Sequence, residues 1–189
     1  MSEELIEALL SEADDRMKKS VENSREKLGT VRTGRASPAL LERVQVDYYG
    51  TQTPINQMAN IAASEARLLT ISPYDKSSLQ SIEKAITDSD LGLTPNNDGN
   101  VIRIQIPELT EERRNEMVKQ ARHLAEEGRV AIRNIRRDTM HELKSLRTSG
   151  DVGEDDEKRG EDDLQKLTDR HIGEVDGQLQ NKETDLLEV

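Results

Sequence analysis

The sequence predicts an α+β protein: a long antiparallel three-helix bundle into which a small α/β domain is inserted. Three observations predict it. Apolar residues recur at steps of three and four along three long stretches. A middle segment switches to alternation with period two. The apolar supply, 33% against 34% charged residues, is thin for one thick core but suits narrow stripes on long helices.

The first helix is expected from about residue 3 to about residue 32. Ile6, Leu9, Ala13, Met17, Val21, Ser24, Leu28 and Val31 share its phase, and the early Glu residues suit the positive end of the dipole. A second helix is expected from Thr110, a good N-cap, to Thr148. Its stripe is Met117, Ala121, Leu124, Gly128, Ile132, Ile135, Thr139, Leu143 and Leu146. The third follows the acidic Asp151–Glu157 connection and carries Leu164, Leu167, Ile172, Val175, Leu179 and Leu186. At 1.5 Å per residue the three would be roughly 45, 60 and 50 Å long. None can bury its stripe alone, so they meet along their lengths, and the short link makes the last two antiparallel.

Between them, Arg43–Tyr49 before Gly50, Arg67–Ile71 and Val101–Ile106 read as strands. Ser77–Ser89 reads as a short helix capped by Ser77 or Ser78, and Asn96–Gly99 as a turn. The expected division is therefore 1–33 with 108–189 for the bundle and 34–107 for the insertion. The chain crosses between them at Thr33-Gly34 and Pro107-Glu108. Gly accepts unusual backbone angles and Pro ends a strand, so Thr33, Gly34 and Pro107 are expected to form a two-strand hinge.

Composition excludes several functions. With no Phe, no Trp and three Tyr, stacking of bases on an aromatic sheet is not expected. Zero Cys removes disulfides, thiol catalysis and thiolate metal sites. No apolar run approaches a membrane span, and the acidic N-terminus resembles neither a signal nor a transit peptide, so a cytoplasmic protein is expected. The acidic run from Asp151 would place Arg159 and Lys166 at calcium-ligand positions, which no cation can fill, so no metal site is expected. His123, His141 and His171 have no carboxylate at ligand spacing and are expected on the surface or in helix packing. Thr33–Pro38 has a single Gly and is no phosphate cradle. No nucleophile has a recognisable base, so no catalytic residue, no enzyme activity and no cofactor are expected.

The net charge of −11 divides unevenly. Residues 151–189 carry 5 positive and 14 negative charges, whereas residues 113–147 carry 10 and 5. At about 100° per residue, Arg122, Arg129, Arg133, Arg136, Lys144 and Arg147 fall within about 80° of one helix face, about 120° from its apolar stripe. Glu126 is the one acid among them. Charge runs usually only keep a helix soluble. The preference for Arg over Lys, however, favours the bidentate capture of phosphate. A helical adaptor whose basic stripe meets an acidic protein, or an enzyme built on the insertion, remain alternatives on these residues alone.

The motifs themselves resemble the bacterial ribosome recycling factor family. Val31–Pro38, Asp47–Gly50 with Thr53-Pro54, and Ser89–Asn96 match, as do Leu109–Arg114, Val130–Asp138 and Lys182–Leu187, in order and over essentially the whole chain. His123 and Gly128 lie in a stretch expected to vary freely. The resemblance implies an L-shaped monomer with the outline of transfer RNA. It also implies a ribosome carrying messenger and deacylated transfer RNA as the substrate, and elongation factor G with GTP as the motor. Arg113, Arg114, Arg129, Arg133 and Arg136 would face large-subunit ribosomal RNA, with Arg32 a further candidate.

Overall fold

The computed structural model describes residues 2–188. In chain order, α1 (Ser2–Gly29) is followed by β1 (Gln45–Tyr48), β2 (Thr51–Pro54), the single turn α2 (Ile55–Met58), β3 (Ala59–Glu65) and β4 (Leu68–Pro73). Then come α3 (Leu79–Asp88), β5 (Pro95–Asn97), β6 (Ile102–Gln105), α4 (Glu111–Ser149) and α5 (Glu154–Leu187). These form two compact units, residues 2–32 with 112–187 and residues 33–111 with 188.

In the helical unit, ion pairs record the directions of the helices. Arg122 meets Glu183, Arg129 meets Asp176 and Arg147 meets Glu157, so α4 and α5 run antiparallel. Arg16 with Asp138 and Lys27 with Glu127 show the same for α1 and α4. It follows that α1 and α5 are parallel, linked by Arg170 to Asp14 and by Gln178 Nε2 donating to the Val21 carbonyl. One apolar line runs through all three helices, including Met17 and Val21 of α1, Ile132 and Leu143 of α4, and Leu164 and Val175 of α5.

Two glycines set how closely the helices approach. A Cβ on Gly128 would lie 3.0 Å from Ser24 Oγ, and one on Gly160 would lie 3.1 Å from Ile6 Cγ2. Gly128 is buried, so it is constrained by packing rather than free to vary as the sequence suggested.

The helix ends also depart from expectation. α1 stops at Gly29 because the Thr30 hydroxyl donates to the Lys27 carbonyl at 2.7 Å and competes with the helical ladder. At the end of α4, Gly150 (φ 83) donates to Arg147 and Asp151 to Leu146, the paired bonds of a Schellman ending. The acidic run that follows is not uniformly solvated: Glu157 is buried and takes Arg147 at 3.1 Å. His171 is buried in helix packing, with Asp14 Oδ1 of α1 2.7 Å from Nε2; contrary to expectation, helical spacing also supplies carboxylates, Glu174 at 3.4 Å from His171 Nδ1 and Glu127 at 3.3 Å from His123.

The second unit is antiparallel throughout. A four-stranded sheet has the order β3-β4-β6-β5, and β1 and β2 form a separate hairpin. Leu69 and Ile71 of β4 and Ile102 and Ile104 of β6 pack with Leu79, Ile82 and Ile86 of α3 in one core. The expected strands correspond to β1, β4 and β6. Sequence alternation missed β2, β3 and β5, which are short or mostly exposed. Ser78 stands at the N-cap of α3, as expected, but its side chain makes no cap hydrogen bond; Asp75 caps a preceding single turn by accepting from the Ser77 N–H at 2.9 Å.

Candidate functional site

The cationic stripe of α4 runs along the flank next to α5: Arg122, Arg133, Lys144 and Arg147 are exposed, while Arg129 and Arg136 are half-buried. Around α4, Glu127 and Asp138 sit about 140–160° from Arg122 and reach α1. Arg122 and Arg129 reach α5 on the opposite flank. The stripe thus borders the most acidic helix, and part of its charge is cancelled inside the molecule. Measuring from the apolar line alone could not tell which flank α5 would cover.

The six predicted binding arginines fall into different environments. Arg129 is half-buried and tied on both sides, to Asp176 at 2.7 Å and Glu126 at 3.0 Å. Burial alone would lower its pKa, but the hydrogen bonds it donates to Asp176 and Glu126 outweigh burial and hold the guanidinium above its usual value. Arg133 is exposed and shares Glu126 at 3.0 Å. Hydrogen bonds from Arg129 and then Arg133 keep the Glu126 carboxyl below its usual range.

Arg136 differs from both. It is half-buried, its Nε is buried without a hydrogen-bond partner among the described residues, and no acid pairs with it there. Its planar fork is held by packing while its charge stays uncompensated, which suits an external anion. Arg113, at the start of α4, pairs with Glu116 at 2.7 Å, and Arg114 beside it is half-buried. Arg32 is exposed beyond the end of α1, away from the stripe in sequence. The structure therefore groups Arg129, Arg133 and Arg136 on one stretch of α4, with Arg113 and Arg114 at its start. Of the hinge candidates, Gly34 has φ 75, a left-handed backbone that favours glycine.

Among the described residues no group of His, Asp and Glu is arranged to hold a metal ion, and no helix is long and apolar enough to cross a membrane.

The family model described as ribosome recycling factor matches residues 24–187. The chain belongs to the ribosome recycling factor family. It is 57% identical over 180 residues to the ribosome-recycling factor of Rubrobacter xylanophilus, covering 95% of this chain and 97% of the relative. It is 58% identical over 185 residues to that of Syntrophomonas wolfei, covering 98% and 100%. Among solved structures, the solution structure of a ribosome recycling factor matches with TM-score 0.74 and 40% identity, covering 97% of this chain and 98% of that one. The Thermus thermophilus ribosome recycling factor matches with TM-score 0.65 and 46% identity, covering 96% and 98%. That protein is described together with Escherichia coli elongation factor G bound to the Escherichia coli post-termination complex.

One residue of this family member was missed by the sequence reading. Arg137 is exposed and carries no ion pair among the described residues. It lies about 60° round the helix from Arg122, just outside the narrow window chosen around the arginine stripe. A window centred on the solvent side would have found it.

Proposed function

We propose that this chain recycles ribosomes in the cytoplasm, acting as a monomeric, transfer-RNA-shaped wedge rather than as an enzyme. The helical unit docks through Arg136, Arg133 and Arg129, with Arg113, Arg114 and Arg32 at the edges, onto large-subunit ribosomal RNA. Elongation factor G and GTP then drive the subunits apart, freeing messenger and deacylated transfer RNA. Thr33, Gly34 and Pro107 form the hinge that lets the α/β unit move while the helices stay anchored.

The observation that carries this reading is Arg136, a packed, uncompensated guanidinium on a rigid helix of an otherwise acidic family member. Family membership gives the biological setting, and the Thermus relative provides the precedent for elongation factor G. Backbone phosphates are the natural target, because forks on one straight helix recognise spacing and charge without reading bases.

Co-sedimentation with purified large subunits over a salt series tests it. Arg136→Ala should weaken saturable binding by about 1–3 kcal/mol and reduce the salt slope, with helicity unchanged. Arg122→Ala, which removes a group already paired with Glu183, should cost much less. Equal binding by wild type and Arg136→Ala would remove the arginine from the interface. For the hinge, Gly34→Ala is the informative change: proline cannot adopt φ 75 and would break the crossing instead of stiffening it. Gly34→Ala should spare anchoring and slow subunit splitting, and unchanged splitting would count against the hinge.

A further inference from the structure

The three tyrosines of this protein all lie in the α/β unit, two at the β1–β2 turn and one just after β4. The chain has three Tyr and no Phe or Trp. The Tyr48 and Tyr49 rings meet edge to face with centroids 4.6 Å apart. The Tyr48 hydroxyl lies near the Asp75 carboxylate, which the Ser77 N–H and hydroxyl, and less strongly Tyr48, hold below its usual range; Tyr74 is the residue before Asp75. Large rings normally go to the core, where they bury the most surface. Here aliphatic residues fill the core, while Tyr49 is 84% and Tyr74 71% exposed.

The backbone strengthens the point. Tyr49 and Gly50 are the two loop residues between β1 and β2, with φ 50 and φ 82. Asn or Gly fills the first of these positions without strain, whereas a bulky aromatic there is unfavourable. A ring kept exposed at a strained position contributes nothing to burial, which directs attention to what it could meet outside the molecule.

The charges beside the rings define the partner. The Asp47 carboxylate accepts from the Gly50 N–H and that of Asp75 from the Ser77 N–H, both at 2.9 Å, so both are fixed near the rings. The nearest basic side chain in sequence, Lys76, is turned to Asn100 at 2.9 Å. Residues 34–107 carry 6 positive and 8 negative charges. Phosphates would be repelled by this edge. A guanidinium would find aromatic faces to stack on and carboxylates to bind.

We infer that the Tyr48–Tyr49–Tyr74 edge is a docking surface for an arginine-bearing segment of a protein partner, and not for RNA. It is separate from the arginines of α4 and does not depend on their role. Tyrosine and arginine are also among the residues most enriched at the energetic centres of protein interfaces.

With only three tyrosines, ring-proton NMR of the full chain reports on this edge alone. The probes are a blocked Gly-Arg-Gly-Arg-Gly peptide, its citrulline counterpart and an oligouridylate. The arginine peptide should shift the Tyr49 and Tyr74 rings saturably. The citrulline peptide should bind roughly fivefold more weakly, the size of one exposed cation–π contact, and oligouridylate should leave the rings unmoved. Tyr49→Asn, which accepts the left-handed backbone, should keep or raise the melting temperature while weakening the peptide response of the remaining rings about fivefold. Tyr74→Ala, outside the turn, should weaken it similarly. Rings that respond to neither peptide, to both equally, or to oligouridylate instead would overturn the inference. So would a Tyr49→Asn protein that binds like wild type.

Discussion

The two units of this family member reach stability by different routes. The α/β unit concentrates burial: its core is almost wholly aliphatic, and Ser78 is its only buried polar residue among those described. The helical unit spreads burial along a thin line interrupted by Ser24, Thr139, Glu157, Thr168 and His171. Long helices meeting along a narrow stripe could slide by a turn at little apolar cost. Buried polar groups and glycine contacts penalise such slips, because a shift leaves a charge unpaired or drives a Cβ into a neighbour. The lesson is that an elongated unit needs register markers where a compact one needs only volume.

The largest test of this contrast is a cavity. Ile71→Ala, at a fully buried site on a central strand, should cost about 3–4 kcal/mol. Hydrogen exchange should then collapse in β4 and β6 while amides around Ile132 keep their protection. Equal loss in both places would show that the units do not hold their stability separately.

A smaller test concerns the glycine contacts. Gly160→Leu should destabilise the helical unit by about 2 kcal/mol, because Ile6 and Leu143 leave no room. Gly173→Ala, on an open helix surface with no atom within 4 Å of the new Cβ, should stabilise by about 1 kcal/mol. Thermal melts of the two variants that moved in the same direction would refute the close-approach argument.

The smallest effect is acid-dependent. Burial alone would raise the Asp14 carboxyl, but hydrogen bonds from Lys18 and His171 and the charges of Lys18 and Arg170 hold it below its ordinary value. A lowered native pKa contributes stability above the unfolded value of about 4, and that stability is lost as pH falls through the native value. Asp14→Asn should therefore cost about 1 kcal/mol at neutral pH and less at pH 2, flattening the acid limb of the stability curve. A deficit that stayed constant down to pH 2 would assign the loss to packing instead of charge.

Much of this was legible in the chain. The three stripes, the alternating strands around Val46, Leu69 and Ile104, and the family motifs all predicted the fold class. Periodicity is a local signal, and those segments carry it in full. Ala59–Glu65 was not legible, because a strand with mostly exposed Ala, Asn and Ser residues shows no alternation. Nor was the pairing of His171 with Asp14, since 157 positions separate them. The arginine stripe was visible, but its neutralisation by Glu183, Asp176 and Glu157 was not.

Sequence alone determined which residues are apolar, how they repeat, where the charge is concentrated and which family the motifs resemble, because each is a property of neighbours along the chain. Only the tertiary structure decided which arginines are neutralised and which are left over. It also decided where two glycines must stay small and that Tyr49 and Tyr74 face outward while Tyr48 packs partly on the core. These outcomes depend on which flank of each element its distant partner covers, and a helix or strand read by itself has no record of that choice.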